Sequence, residues 1–150
     1  MNAGPADAEG AGGRRALAIG VILAVAAMHI LRLGTYLHGS LFRVYYSYAS
    51  DILVPMAMYF VLVLTTGLYP SLASALDGTA PIEERRHMPF VDAWCAKAGV
   101  VFAAASFTEI LQACGLPILG QTFDPLDFVM FAVGGLLAAG LDQGILALKT

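Results

Sequence analysis

Seven polar side chains stand within or at the edges of stretches otherwise built from Ala, Gly, Val, Leu and Phe: His29, Arg32, Asp51, Glu109, Gln112, Asp124 and Asp127. Carboxylates and an amide can grip hydroxyl or amine groups, or move a proton; a guanidinium and an imidazole can meet an anion. Glu109 is the most telling. An ionised carboxylate facing lipid costs about 2.5 kcal/mol or more, so it is expected to face protein. There it serves either as a ligand or proton site, or as one half of a bridge to Arg32 or His29. Asp124, Asp127 and Asp51 carry a second explanation. Each stands where a helix begins, and a carboxylate there satisfies free N–H groups and favours the positive end of the helix dipole.

Glu109, Asp127, Asp51 and His29 offer oxygen and imidazole ligands of the kind a metal ion takes, but they show no fixed ligand spacing. Neither a metal nor a cofactor is expected. No nucleophile stands beside a base, so no catalytic residue is assigned. Walker A, dinucleotide-binding, zincin and Cys-x-x-Cys patterns are all absent from the sequence.

The elements that position these groups are helices. The chain has 150 residues, of which 59% are hydrophobic and 13% charged, with a mean hydropathy of +0.75. Soluble domains carry about 25% charged residues, so the composition points to a lipid-embedded, all-α protein. The net charge of −3 comes with only eight scattered Lys and Arg, which excludes a nucleic-acid surface. Cys95 and Cys114, nineteen positions apart on one expected helix, are about 28 Å apart along its axis and do not bridge.

Residues 1–14 read as a flexible cytoplasmic tail, rich in Gly and Ala and closed by an arginine. Four transmembrane spans follow, at about 15–37, 51–69, 93–114 and 125–148, and make an integral membrane four-helix bundle. A cleaved signal peptide is the rival for the first, but the apolar segment runs long for one. Residues 38–50 form an aromatic connector whose Tyr45, Tyr46 and Tyr48 suit a headgroup belt. Pro70 closes the second span, and Trp94 anchors the third at an interface. Residues 77–92 are polar and form either a loop or a short surface helix. Gly115 and Pro117 stop the third span, and Asp124-Pro125 opens the fourth. His38 and His87 are expected in solvent, and Asp142 and Gln143 within reach of water near the end of the last span. Gly140 and Gly144 make a small-residue ridge that lets backbones approach closely, within the bundle, the more common use, or against another protein.

Arg14, Arg15, Arg85, Arg86 and Lys149 fall on one side of such a bundle, and Arg32 and Arg43 on the other. The positive-inside rule then puts both termini in the cytoplasm, in a bacterial inner membrane. Under that topology the polar groups converge. His29, Arg32 and Tyr36 make one stripe near the outer face. Asp51, Asp124 and Asp127 open their spans on that side, and Glu109 lies about 22 Å along the third, with Gln112 on the same face.

Glu109-Ile110-Leu111-Gln112, Gly120, Phe123-Asp124-Pro125-Leu126-Asp127 and Gly134-Gly135 together resemble the VanZ-like family of small bacterial membrane proteins. The likeness covers residues 100–140, and 51–63 more loosely. It implies a bundle of four or five spans with its polar motif near the outer leaflet. Unlike many members, this chain has no arginine in the connector and no asparagine in Phe128-Val129-Met130-Phe131. The function expected is binding, or an accessory role, toward an amphipathic envelope molecule such as a lipid or lipid-linked glycan. Arg32 and Arg43 would meet anionic headgroups, and Glu109, Gln112 and Asp127 would hydrogen-bond polar parts. The partner is membrane lipid. The alternatives are a small structural subunit docked to other membrane proteins and, third, an intramembrane enzyme with Glu109 or Asp127 as base.

Overall fold

A computed structural model describes residues 5–77, 94–116 and 124–147. The polar segment 78–93, the residues Pro117, Gly120 and Lys149, and the side chain of Arg43 lie outside the described residues, with what was expected of them. Every regular element described is helical: α1 (Pro5–Ile30), a 3-10 turn (Leu33–Tyr36), α2 (Gly39–Val44) running through a π-helical turn (Tyr45–Ala49) into α3 (Ser50–Asp77), α4 (Trp94–Ala113) and α5 (Pro125–Ala147). Three stretches, Gly12–Ile30, Trp94–Ala113 and Pro125–Gly144, are long and apolar enough to cross a membrane, and Ser50–Thr66 is a shorter apolar helix.

Helix boundaries differ from those expected in three places. The first helix begins at Pro5, inside the stretch read as a tail. Proline suits a first helical position, and the following Ala and Glu residues are good helix formers. It also ends at Ile30, short of Leu37. Arg32 adopts a left-handed φ of 50°, its N–H donating to the His29 carbonyl at 3.2 Å, while the N–H and hydroxyl of Thr35 both donate to the Arg32 carbonyl at 2.8 Å. The chain turns there rather than continuing. Third, α3 passes through Pro70 to Asp77; a proline removes one backbone bond without forbidding helix on either side. The aromatic connector is itself helical from Gly39 onward.

The other termini follow their chemistry closely. Gly115, with φ 82°, closes α4: its N–H donates to the Gln112 carbonyl and that of Leu116 to the Leu111 carbonyl, both at 2.9 Å. This is the double bond pattern of a glycine C-terminal cap. At the start of α5, the Asp124 carboxylate accepts the Leu126 N–H at 2.9 Å, so Asp124 is the N-cap.

Spacing decides which faces are buried. On α4 the buried residues are Lys97, Val101, Ala105, Ser106 and Glu109, mostly at intervals of three and four. On α5 they are Phe131, Gly134, Gly135, Ala138, Ala139 and Asp142, and on α3 Pro55, Tyr59, Phe60 and Val63. These stripes meet Ala18 of α1 in one core. The opposite faces keep large apolar side chains exposed, among them Leu23, Phe107 and Leu136.

The tightest approach is between α3 and α5. A Cβ placed on Gly134 would lie 2.2 Å from the carbonyl oxygen of Ile52, so only glycine fits. Gly134 faces Ile52 and Asp142 meets Tyr59; both chains advance the same way, and α3 and α5 run parallel. Gly135 approaches Ala98 while Asp127 reaches Glu109, so α4 runs antiparallel to α5. Gly140 and Gly144 are exposed, with nothing within 4 Å of a Cβ on either. Of the two uses expected of this ridge, packing inside the bundle is not found, because the α5 stripe through Gly134, Ala138 and Asp142 turns these two glycines away from α3 and α4. Gly134→Ala is therefore expected to lower stability by about 2 kcal/mol through overpacking against backbone, and Gly140→Ala to leave it unchanged, in thermal unfolding of the detergent-solubilised protein.

Candidate functional site

The parallel pairing of α3 and α5, with α4 laid against both, brings three carboxyl groups from three helices together. Asp51 sits in the first turn of α3 and Asp127 in the first turn of α5, both half-buried; Glu109, near the end of α4, is only 4% exposed. The Asp127 carboxyl lies near enough to those of Asp51 and Glu109 for their charges to act on one another. Asp124 adds its charge from the exposed N-cap position, close enough to be felt at both aspartates. Three of the carboxyls singled out in the sequence thus form one cluster, with the fourth at its rim.

Each position has a local cause. Asp51 begins the four-residue stripe that continues through Pro55, Tyr59 and Val63, so it projects on the packed side of α3. Pro55 has no N–H, so it cannot close a helical bond to the carbonyl of residue 51, four places back. Asp127 heads the stripe of α5. Glu109 follows Val101 and Ala105 at intervals of four, and these buried neighbours turn it inward.

The α4 side of the cluster holds atoms that lack partners. Glu109 Oε2, Gln112 Oε1 and Ser106 Oγ are buried without a hydrogen bond. Ser106, Glu109 and Gln112 follow one another at three-residue intervals, so these atoms make a short column along one edge of α4. A buried polar group left unpaired costs about 1–3 kcal/mol. Among the described residues no group of three or more His, Cys, Asp and Glu is arranged to hold a metal ion.

His29 and Arg32 are not part of this site. Both are exposed; His29 Nδ1 contacts the Val25 carbonyl at 2.9 Å, and Arg32 lies past the end of α1. The stripe with Tyr36, itself 73% exposed, does not form, because the helix that would have carried it stops at Ile30. Neither residue bridges to Glu109: His29 is on the exposed face of α1, and Arg32 lies past its end.

A second polar centre lies at the opposite end of the bundle. Asp142 is 0% exposed. Arg14 grips it with both arms, Nε to Oδ1 at 2.5 Å and the terminal nitrogen to Oδ2 at 2.6 Å, and the Tyr59 hydroxyl donates to Oδ2 at 3.0 Å. Asp142 had been expected within reach of water; instead the fork of Arg14 and the phenol of Tyr59 enclose it. Asp127, Phe131, Gly134, Ala138 and Asp142 fall on one stripe, a pattern visible in the sequence that could have placed Asp142 inside. Its partners on α1 and α3 carry no such signal. Cys95 and Cys114 are free thiols on exposed faces.

Comparison with protein-family models, with curated proteins and with solved structures finds no match.

The two centres differ in kind. Asp142 has its charge balanced and its oxygens donated to, as a structural pair requires. The Asp51–Glu109–Asp127 cluster holds acceptors and unpartnered oxygens, with no cation joined to it among the described residues. Arg14→Ala is expected to destabilise the bundle by about 3 kcal/mol, since it strips a buried carboxylate of its charge partner. Adding Asp142→Leu should restore part of that loss, as read by the unfolding midpoint of the single and double variants.

Proposed function

We propose that the protein is an integral membrane protein of the bacterial inner membrane, with both termini cytoplasmic. Its site, at the outer-leaflet end, would bind the polar headgroup of an amphipathic envelope molecule, a lipid or lipid-linked glycan. The observation that carries this is the column of unpartnered buried oxygens on α4, beside neighbouring carboxyls of α3 and α5. Such a surface accepts hydrogen bonds and needs donors, and hydroxyl or amine groups supply them. The apolar faces around it suit the acyl or isoprenoid chain of the same molecule. The likeness of residues 100–140 to VanZ-like proteins supports the same depth for the site.

One part of the expected function changes. Arg32 stands apart from the carboxyls, so any anionic part of the ligand is met away from them, and the cluster itself repels it. A second function, as a small subunit of a membrane complex, is favoured by the outward placement of Gly140 and Gly144, since small residues on an exposed helix face let another helix approach closely.

Purification in mild detergent followed by native mass spectrometry tests the proposal. The wild-type protein is expected to retain an amphipathic small molecule. Glu109→Gln, which keeps the shape and removes the charge, is expected to lose it at unchanged protein abundance. A wild-type protein that carries a stoichiometric protein partner and no small molecule would favour the subunit.

A further inference from the structure

Hydroxyls on the long helices behave in two ways. Thr65 and Thr66 on α3 donate to the carbonyls of Val61 and Leu62 at 3.0 and 2.7 Å, and Thr108 on α4 donates to that of Ala105 at 2.7 Å. Bonding back to the same helix is the usual way to satisfy a hydroxyl in apolar surroundings. Ser106 is more deeply buried than any of the three, at 7% exposed, yet its Oγ makes no such bond and has no partner among the described residues. Glu109 Oε2 and Gln112 Oε1, on the next turns, are buried and unpartnered in the same way.

The three oxygens differ in what they ask of a ligand. The Gln112 carbonyl oxygen only accepts, and a carboxylate oxygen of Glu109 does the same, but the Ser106 hydroxyl also has a hydrogen to give. An ammonium group donates and cannot take that hydrogen. A phosphate accepts and cannot fill the Gln112 oxygen. A hydroxyl does both, so neighbouring hydroxyls of one molecule can accept from Ser106 and donate to Glu109 and Gln112. The column is also extended: positions 106 and 112 are about 9 Å apart along the axis, which suits several groups in a row better than one charged centre. Ser106 and Glu109 are closed over, but Gln112 is half-buried and lies one residue before the end of α4. Its unbranched side chain can change rotamer there without moving a helix, which gives the column an entrance.

Building on the headgroup-binding function above, we propose that the column recognises a neutral polyol, a glycerol or sugar with adjacent free hydroxyls, and that Ser106 sets this preference over amines and phosphates. The unliganded protein bears a cost for it, because a buried hydroxyl without a partner destabilises the fold. Replacing Ser106 with alanine therefore removes a cost from the empty protein and a partner from the bound polyol.

Calorimetry on the full-length protein in phosphatidylcholine nanodiscs at pH 7 tests this, with empty discs subtracted. The probes are dodecyl glucoside, dodecylamine, dodecyl phosphate and methyl glucoside. Dodecyl glucoside is expected to bind about tenfold more tightly than the amine or the phosphate, and Ser106→Ala to weaken the glucoside about tenfold while leaving the other two unchanged. Without ligand, Ser106→Ala is expected to hold or raise the thermal midpoint, so its loss of affinity is not a loss of folding. Methyl glucoside much weaker than dodecyl glucoside assigns the polyol to a membrane lipid. Equal affinity keeps the polyol and overturns the lipid part of the headgroup function. Amine or phosphate binding as tight as glucoside binding, glucoside affinity unchanged in Ser106→Ala, or a lowered midpoint in that variant overturns the polyol assignment and leaves the headgroup site standing. Binding of no probe above the empty-disc level overturns both.

Discussion

The backbone contact between Gly134 and the carbonyl of Ile52 is the constraint on which the rest of the bundle depends. A helix pair separated by ordinary side chains keeps its axes about 8–10 Å apart. Removing one side chain at the crossing lets α5 settle onto the first turns of α3. Because the two helices run parallel, that single register also determines what meets at either end. Asp127 comes to Asp51 on one side of the crossing, and Asp142 comes to Tyr59 on the other. A bulkier residue at position 134 would loosen both polar centres through one displacement.

The two ends solve the problem of buried charge in opposite ways. At the Asp142 end, burial is complete and compensation is complete: the guanidinium fork supplies charge and geometry together, and a phenol fills a remaining lone pair. That arrangement ties α1 to α3 and α5 and leaves nothing for a ligand to add. At the Asp127 end, carboxyls neighbour carboxyls, and oxygens on α4 stay unmatched. Stability alone would favour apolar residues or a cation there.

The surroundings fit that division. In a bilayer the apolar faces of helices gain little by meeting one another, since lipid tails are as apolar as leucine; close packing and polar contacts hold the helices together instead. The Ala and Gly stripe of α5 supplies the first, and the Arg14–Asp142–Tyr59 group supplies the second. Large apolar side chains such as Leu23 and Phe107 stay exposed on the outer faces. Gly140 and Gly144 lie outside the packed stripe.

Much of this was legible in the chain itself. Apolar runs of helical length, the Asp124-Pro125 start and the Gly115 stop determine the last two long helices to within a few residues, because caps and hydropathy are local properties. The costs of burying Glu109 and the placement of Asp51 and Asp127 at helix starts were enough to bring those carboxyls to one end. What local chemistry could not reveal is where α1 stops and what it touches. Arg32 turns into the left-handed region past the end of α1, and His29 falls on the exposed face of that helix. Arg14, expected at a membrane surface, instead reaches a carboxylate 128 positions away. Those outcomes depend on how whole helices cross, and the crossing is decided by contacts such as Gly134 on Ile52 that exist only once the helices have packed.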